Sequence, residues 1–158
     1  MINKNRPHVL VLPEDDANRQ IADAFALEVQ DPRRIQVLPE AGGWLSVCTK
    51  FQSDHVKGMR NIPERHLILL LDFDNQNDRM DHIMQKTPPD LAPRVFLLGV
   101  QSEPEDLKKV GLGSYEKIGR KLAAECRERK REMWNHDLLE RNAGELDRLD
   151  QTVRSFLF

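Results

Sequence analysis

Cysteine is scarce in this chain, with two residues, Cys48 and Cys126, among 158. They stand far apart and have no cysteine or histidine at zinc-ligand spacing, which leaves no case for a zinc site and little for a disulfide framework. A reduced, cytoplasmic protein is the resulting expectation. Long apolar runs are also missing, so no segment is expected to cross a bilayer, and the polar stretch from Met1 to Pro7 lacks the apolar core of a signal peptide. Nor is there an excess of one charge: 24 Lys and Arg face 26 Asp and Glu, for a net charge of −2. Any basic surface that meets nucleic acid must therefore be local.

What is present is a regular alternation. Four short apolar runs, His8 to Leu12, Arg34 to Leu38, His66 to Leu71 and Arg94 to Val100, are separated by helical patterns. Their unbroken apolar character predicts strands buried on both faces, as in a parallel sheet covered by helices. Asp16 to Gln30 places Ile21, Ala24, Phe25 and Val29 at helical spacing. Gly42-Gly43 predicts a tight turn before a short helix over Trp44 to Phe51, with Gln52 to Glu64 as a polar stretch ending in a loop. From Ser114 the pattern reads as helical to the end, broken at Asn142-Ala143-Gly144. The expected fold is α/β, a three-layer sandwich around a mostly parallel sheet of about four strands, plus C-terminal helices. Residues 1–113 form its core, and 114–158 form a helical extension packing on the core or on a partner, within one compact domain.

Ligands of open parallel sheets bind beyond the carboxyl ends of the strands. All four such ends carry acid: Glu14-Asp15-Asp16, Glu40, Asp72-Phe73-Asp74 and Glu103-Pro104-Glu105-Asp106. Clustered carboxylates repel one another unless a cation neutralises them, and a hard divalent ion is the simplest remedy. Strand alternation predicts Asp72 and Asp74 on the same side, the spacing to share such an ion.

A strand ending in Glu, a helix, a second strand with a Gly-Gly turn and a third strand ending in Asp-x-Asp resemble the Toprim domain of topoisomerases, primases and overcoming-lysogenization-defect nucleases. The resemblance covers roughly residues 8–110. It implies that Glu14, in LPEDDAN, is the general base or acid, and that Asp72 and Asp74, in LLLDFDN, bind Mg²⁺ or Mn²⁺ together with Glu14. Glu105 or Asp106, in VFLLGVQSEPEDL, is an additional candidate ligand, as is Asp78. The pattern departs from the family where Asp15 replaces the glycine that often follows the glutamate, and where Gln76 takes the place of a third acid. The implied activity is metal-dependent phosphodiester chemistry on nucleic acid, as in a small nuclease. Tyr115, the only tyrosine, follows a glycine-rich break at a helix start and gives no support to strand passage.

Plainer roles compete at each position. Glu14 also suits a helix N-terminus, Asp72 and Asp74 an Asp-rich turn, and Asp15 and Asp16 capping. Gly42 and Gly43 allow close approach of backbone to phosphate, or an ordinary turn. The basic series from Lys117 to Arg131 is interleaved with Glu116, Glu125, Glu128 and Glu132, which favours a solvated helix with internal ion pairs. Two other functions remain open: a catalytically silent Toprim-like subunit that binds a protein partner or a second copy through its C-terminal helices, and a receiver-like signalling domain.

Overall fold

The computed structural model describes all 158 residues. Four parallel strands, β1 (His8–Pro13), β2 (Ile35–Val37), β3 (Arg65–Asp72) and β4 (Val95–Val100), form one sheet in the order β2-β1-β3-β4. Val11 sits in register with Val37 on one side and Ile68 on the other, and Leu69 with Leu97. Because alternate residues of a strand face opposite ways, each strand feeds two cores. Leu10, Leu12, Leu67, Leu69 and Leu97 pack against α2 (Trp44–Lys50), α3 (Val56–Asn61) and α4 (Asp78–Lys86) through Val47, Met59 and Ile83. Val9, Val11, Ile68 and Phe96 face the other layer, meeting Ala22 of α1 (Asp16–Ala26), Val153 beyond α7 (Ala143–Thr152) and Leu157 of α8 (Arg154–Leu157). This is the three-layer α/β sandwich that the buried runs predict.

The remaining helices, α5 (Pro104–Lys109) and α6 (Tyr115–Glu128), follow β4. α6 lies so close to α1 that a Cβ on Gly119 would collide with the Ile21 carbonyl oxygen. No helix is long and apolar enough to cross a membrane.

Two stretches differ from the sequence expectation. The helix starting at Trp44 does not stop at Phe51; it widens into a π-helical turn over Phe51–His55 and continues as α3. The wider turn brings both Phe51 and Met59 to full burial, so the apolar stripe survives the polar residues between them. The segment around Trp134 and Leu138 is a series of turns, because α6 ends at Arg129 in the left-handed conformation. The Glu125 carboxylate, buried at 1 % exposure, holds these turns by accepting the Met133 and Trp134 N–H groups. The α6 charges are largely paired within the chain, for example Arg120 with Glu116 at 2.7 Å and Arg127 with Glu28 at 3.7 Å.

Gly99 of β4 lies under the Phe73 ring. A Cβ there would collide with the Leu71 carbonyl oxygen and stand 2.8 Å from that ring. Both neighbours are fully buried, Leu71 in β3 and Phe73 just beyond it, and have nowhere to move. Gly99→Ala is therefore expected to cost about 2 kcal/mol of stability, seen as a lower urea midpoint at unchanged slope.

Candidate acidic site at the sheet switch point

The chain leaves β1 towards β2 through α1 on one face, and returns to β3 through α2 and α3 on the other. The gap between the carboxyl ends of β1 and β3 is thus the point where strand order reverses. Glu14 and Asp72 stand at its two sides.

Glu14 is 9 % exposed. Its carbonyl accepts the N–H groups of Gly42 and Gly43, at 2.9 and 3.2 Å, and its side chain takes over the ladder: Oε2 accepts the Asp72 N–H at 2.6 Å. Burial raises the Glu14 carboxyl above its usual range, while the Asp72 N–H pulls it back. The two glycines hold positive φ angles of 96° and 140°, a conformation that suits glycine. Their N–H groups are occupied by the Glu14 carbonyl, which is the ordinary-turn role of the two that the sequence allows.

Asp72 points to the face of α1. There the Asn18 side-chain nitrogen Nδ2 donates to Asp72 Oδ1 at 2.6 Å and to Asp15 Oδ1 at 2.9 Å. Asp15 is also the N-cap of α1, accepting the Asn18 backbone N–H at 2.9 Å, so the capping role expected for it is present. One amide group therefore holds two carboxylates side by side. Burial, with Asp15 and Glu14 adding repulsion, pushes the Asp72 carboxyl up to about 8 against the pull of Asn18. Tyr115, at the first turn of α6, faces the same acids: burial first, then Glu105, Asp15, Asp72 and Glu103, raise its hydroxyl above the usual value.

Asp74 does not share this arrangement. The expectation that it lies beside Asp72 assumes that the strand continues, but β3 ends at Asp72. Asp74 and Asn75 adopt left-handed φ angles of 52° and 56°, with N–H groups bonded to the Ser102 and Gln101 carbonyls. Aspartate and asparagine tolerate that conformation better than other side chains. The turn swings the Asp74 carboxylate outward to 60 % exposure, where Arg79 Nη2 reaches it at 3.4 Å.

Asp78 opens α4. Glu105 and Asp106 lie in the first turn of α5, and Asp106 is held below the usual carboxylate range by the Ser102 hydroxyl and then by Lys109. Glu40 pairs with Arg19 at 2.8 Å. No three histidine, cysteine, aspartate or glutamate side chains are arranged to hold an ion between them. The acids that do meet are two, Asp15 and Asp72, and the Asn18 amide already joins them. An apolar cavity of about 110 Å³ between the sheet and the C-terminal helices has Asn18 on its wall. With 19 of 24 lining residues hydrophobic, it does not extend the charged site.

Sequence reasoning missed Asn18, Asp15 as a partner of Asp72, and Arg79. The available signal for the first two was their spacing of three residues across a helix start, which brings a cap and the next turn together. Comparison with protein-family models, curated proteins and solved structures finds no match to this chain.

Proposed function

We propose that the chain carries out divalent-metal-dependent phosphodiester chemistry on nucleic acid, as a small Toprim-type nuclease. The observation that supports this reading is the Asp15–Asp72 pair at the switch point, two carboxylates held together without a basic side chain between them, one of them pushed up to about 8. A carboxyl perturbed by burial and by specific charged neighbours at the switch point of an α/β sheet is a candidate functional group. In this reading Asp72 and Asp15 hold the ion, and Asn18 keeps both carboxyls in place. A Mg²⁺ bound there supplies charge neutralisation and polarisation of the scissile phosphate. Glu14, whose carboxyl is raised by burial, moves the proton of the attacking water. Asp74 is outside this set while Arg79 holds it.

The test is a Mn²⁺ titration followed calorimetrically, paired with cleavage assays on single- and double-stranded DNA and RNA. One Mn²⁺ site that disappears in Asp72→Asn, with cleavage that requires the ion, is the expected result. Strong Mn²⁺-dependent cleavage that persists in Asp72→Asn would remove these residues from the chemistry.

One observation favours a second reading, the catalytically silent subunit. Arg79 lowers the Glu14 carboxyl and pairs with Asp74, so the chain supplies a cation of its own to part of the cleft. A silent subunit binds no Mn²⁺ in the same titration and cleaves nothing.

A further inference from the structure

Arg79 is anchored along one edge and almost unpaired along the other. Its Nη1 donates to the Asp72 carbonyl at 2.7 Å, and its guanidinium lies 5.2 Å from the centre of the Trp44 ring, so the plane of the group is fixed. The opposite edge, formed by Nε–H and Nη2–H, is the pair of parallel donors that binds carboxylates and phosphates two-pronged. Here that edge is almost unused. Nη2 has only the long 3.4 Å contact to Asp74, and the buried Nε has no acceptor. Burying a donor without a partner is costly, and native structures rarely leave one without a reason. No other carboxylate comes within ion-pairing distance of Arg79.

We infer that the Nε/Nη2 edge of Arg79 is an oxyanion site that takes a backbone phosphate of a nucleic acid, with Asp74 as the movable group that covers it. The chemistry is that of a fork: two parallel N–H donors, a fixed plane and one exposed, weakly attached carboxylate as the only competitor. A phosphodiester oxygen pair satisfies both donors, including the orphaned Nε. Asp74, 60 % exposed on its left-handed turn, then swings free towards solvent or towards the Asp72 side of the cleft. The inference deepens the nuclease reading and rests on it for the identity of the phosphate. It also gives the same cleft two jobs, an acidic half around Asp72 and a phosphate-holding half around Arg79.

The experiment uses the metal-free full chain and the arginine Nε–H resonances in ¹⁵N spectra, with the Arg79 peak assigned by its loss in R79K. The probes are a thymidine dinucleotide, which carries one phosphodiester, and inorganic phosphate. The dinucleotide is expected to shift the Arg79 peak saturably. R79K, which keeps the charge and loses the fork, is expected to bind it about tenfold more weakly, the weight of one charge-assisted hydrogen bond. D74N removes the competitor and does not touch the anchoring contact to Asp72, so it is expected to bind severalfold more tightly, and it serves as the decisive variant if R79K fails to fold.

An Arg79 peak unmoved by the dinucleotide, or a D74N variant that binds no better than the parent, overturns the site. Binding of inorganic phosphate alone overturns its assignment to a nucleic-acid backbone. A chain that binds the dinucleotide at Arg79 but no Mn²⁺ at Asp72 loses the nuclease reading and keeps this site, whereas the reverse pattern loses this site alone.

Discussion

Asp72→Asn is expected to lose metal-dependent cleavage by about a hundredfold or more and yet to unfold at a higher temperature than the parent at pH 8. The second effect follows from linkage. In the folded chain the Asp72 carboxyl keeps its proton up to about pH 8, whereas in the unfolded chain it releases it near pH 4, about the ordinary value. Between those two values the folded state binds the extra proton, so the stability that Asp72 contributes is complete below about pH 4 and is lost as the pH rises to about 8. Asparagine keeps the shape and removes the charge. The gain at pH 8 is on the order of 1–2 kcal/mol, because Asp72 is only half-buried and solvent screens much of the repulsion. For a chain of this size that is roughly 3–6 °C in Tm.

The comparison must be made as a difference between variant and parent over pH. Burial lowers His8, whose Nδ1 faces the Arg6 carbonyl and whose Nε2 accepts from Arg65. His8 therefore folds neutral, and its contribution runs the other way, being lost as the pH falls below its unfolded value. Subtracting the parent cancels it, since His8 lies at the opposite end of the sheet. Mn²⁺ should raise the Tm of the parent and leave that of Asp72→Asn unchanged. An Asp72→Asn protein that is less stable than the parent at pH 8 would make this carboxylate a structural partner and withdraw the metal proposal.

The strands were legible because a run such as HLILLL has no polar face and so admits few structures other than a doubly covered strand. That Glu14 and Asp72 stand at strand ends followed from those runs, whereas their grouping in one site came from the resemblance and the strand order only from the structure. Asp74 was misjudged because period-two alternation holds only while the ladder continues, and nothing in LLLDFDN states that the backbone turns left-handed after Asp72. Asn18 was missed for another reason. A polar residue in a helix's first turn normally reads as solvent-facing, and its acceptors come from 54 residues away on β3 as well as from the adjacent cap. The run Asn142-Ala143-Gly144 reads as a helix breaker by composition, although the chain passes from a 3-10 turn over Glu140–Asn142 straight into α7. What composition cannot reveal is that a polar helix face lies against bare backbone.

That face gives the second large expected effect. β4 is an edge strand, and edges with free N–H and C=O groups recruit other strands. Here Asn142, Glu145 and Arg148, three residues apart along one side of α7 and its entrance, replace a fifth strand. Asn142 accepts the Gly99 N–H and donates to the Gly99 carbonyl, both at 2.9 Å. Glu145 accepts the Leu97 N–H at 2.8 Å, and Arg148 donates to the Val95 carbonyl at 3.1 Å while pairing with Glu145. Removing both acceptors in an Asn142→Ala, Glu145→Ala double variant leaves two buried backbone donors unmet, at about 1–3 kcal/mol each. The expected loss is about 3–5 kcal/mol, roughly 10 °C or more in Tm, accompanied by association that grows with protein concentration in light scattering. Glu145→Gln keeps an acceptor for Leu97 and should retain most of the stability. If the double variant stays monomeric and loses less than about 0.5 kcal/mol, main-chain satisfaction of β4 does not depend on these side chains, and the C-terminal helices hold the edge by apolar packing of Leu146, Val153 and Leu157 alone.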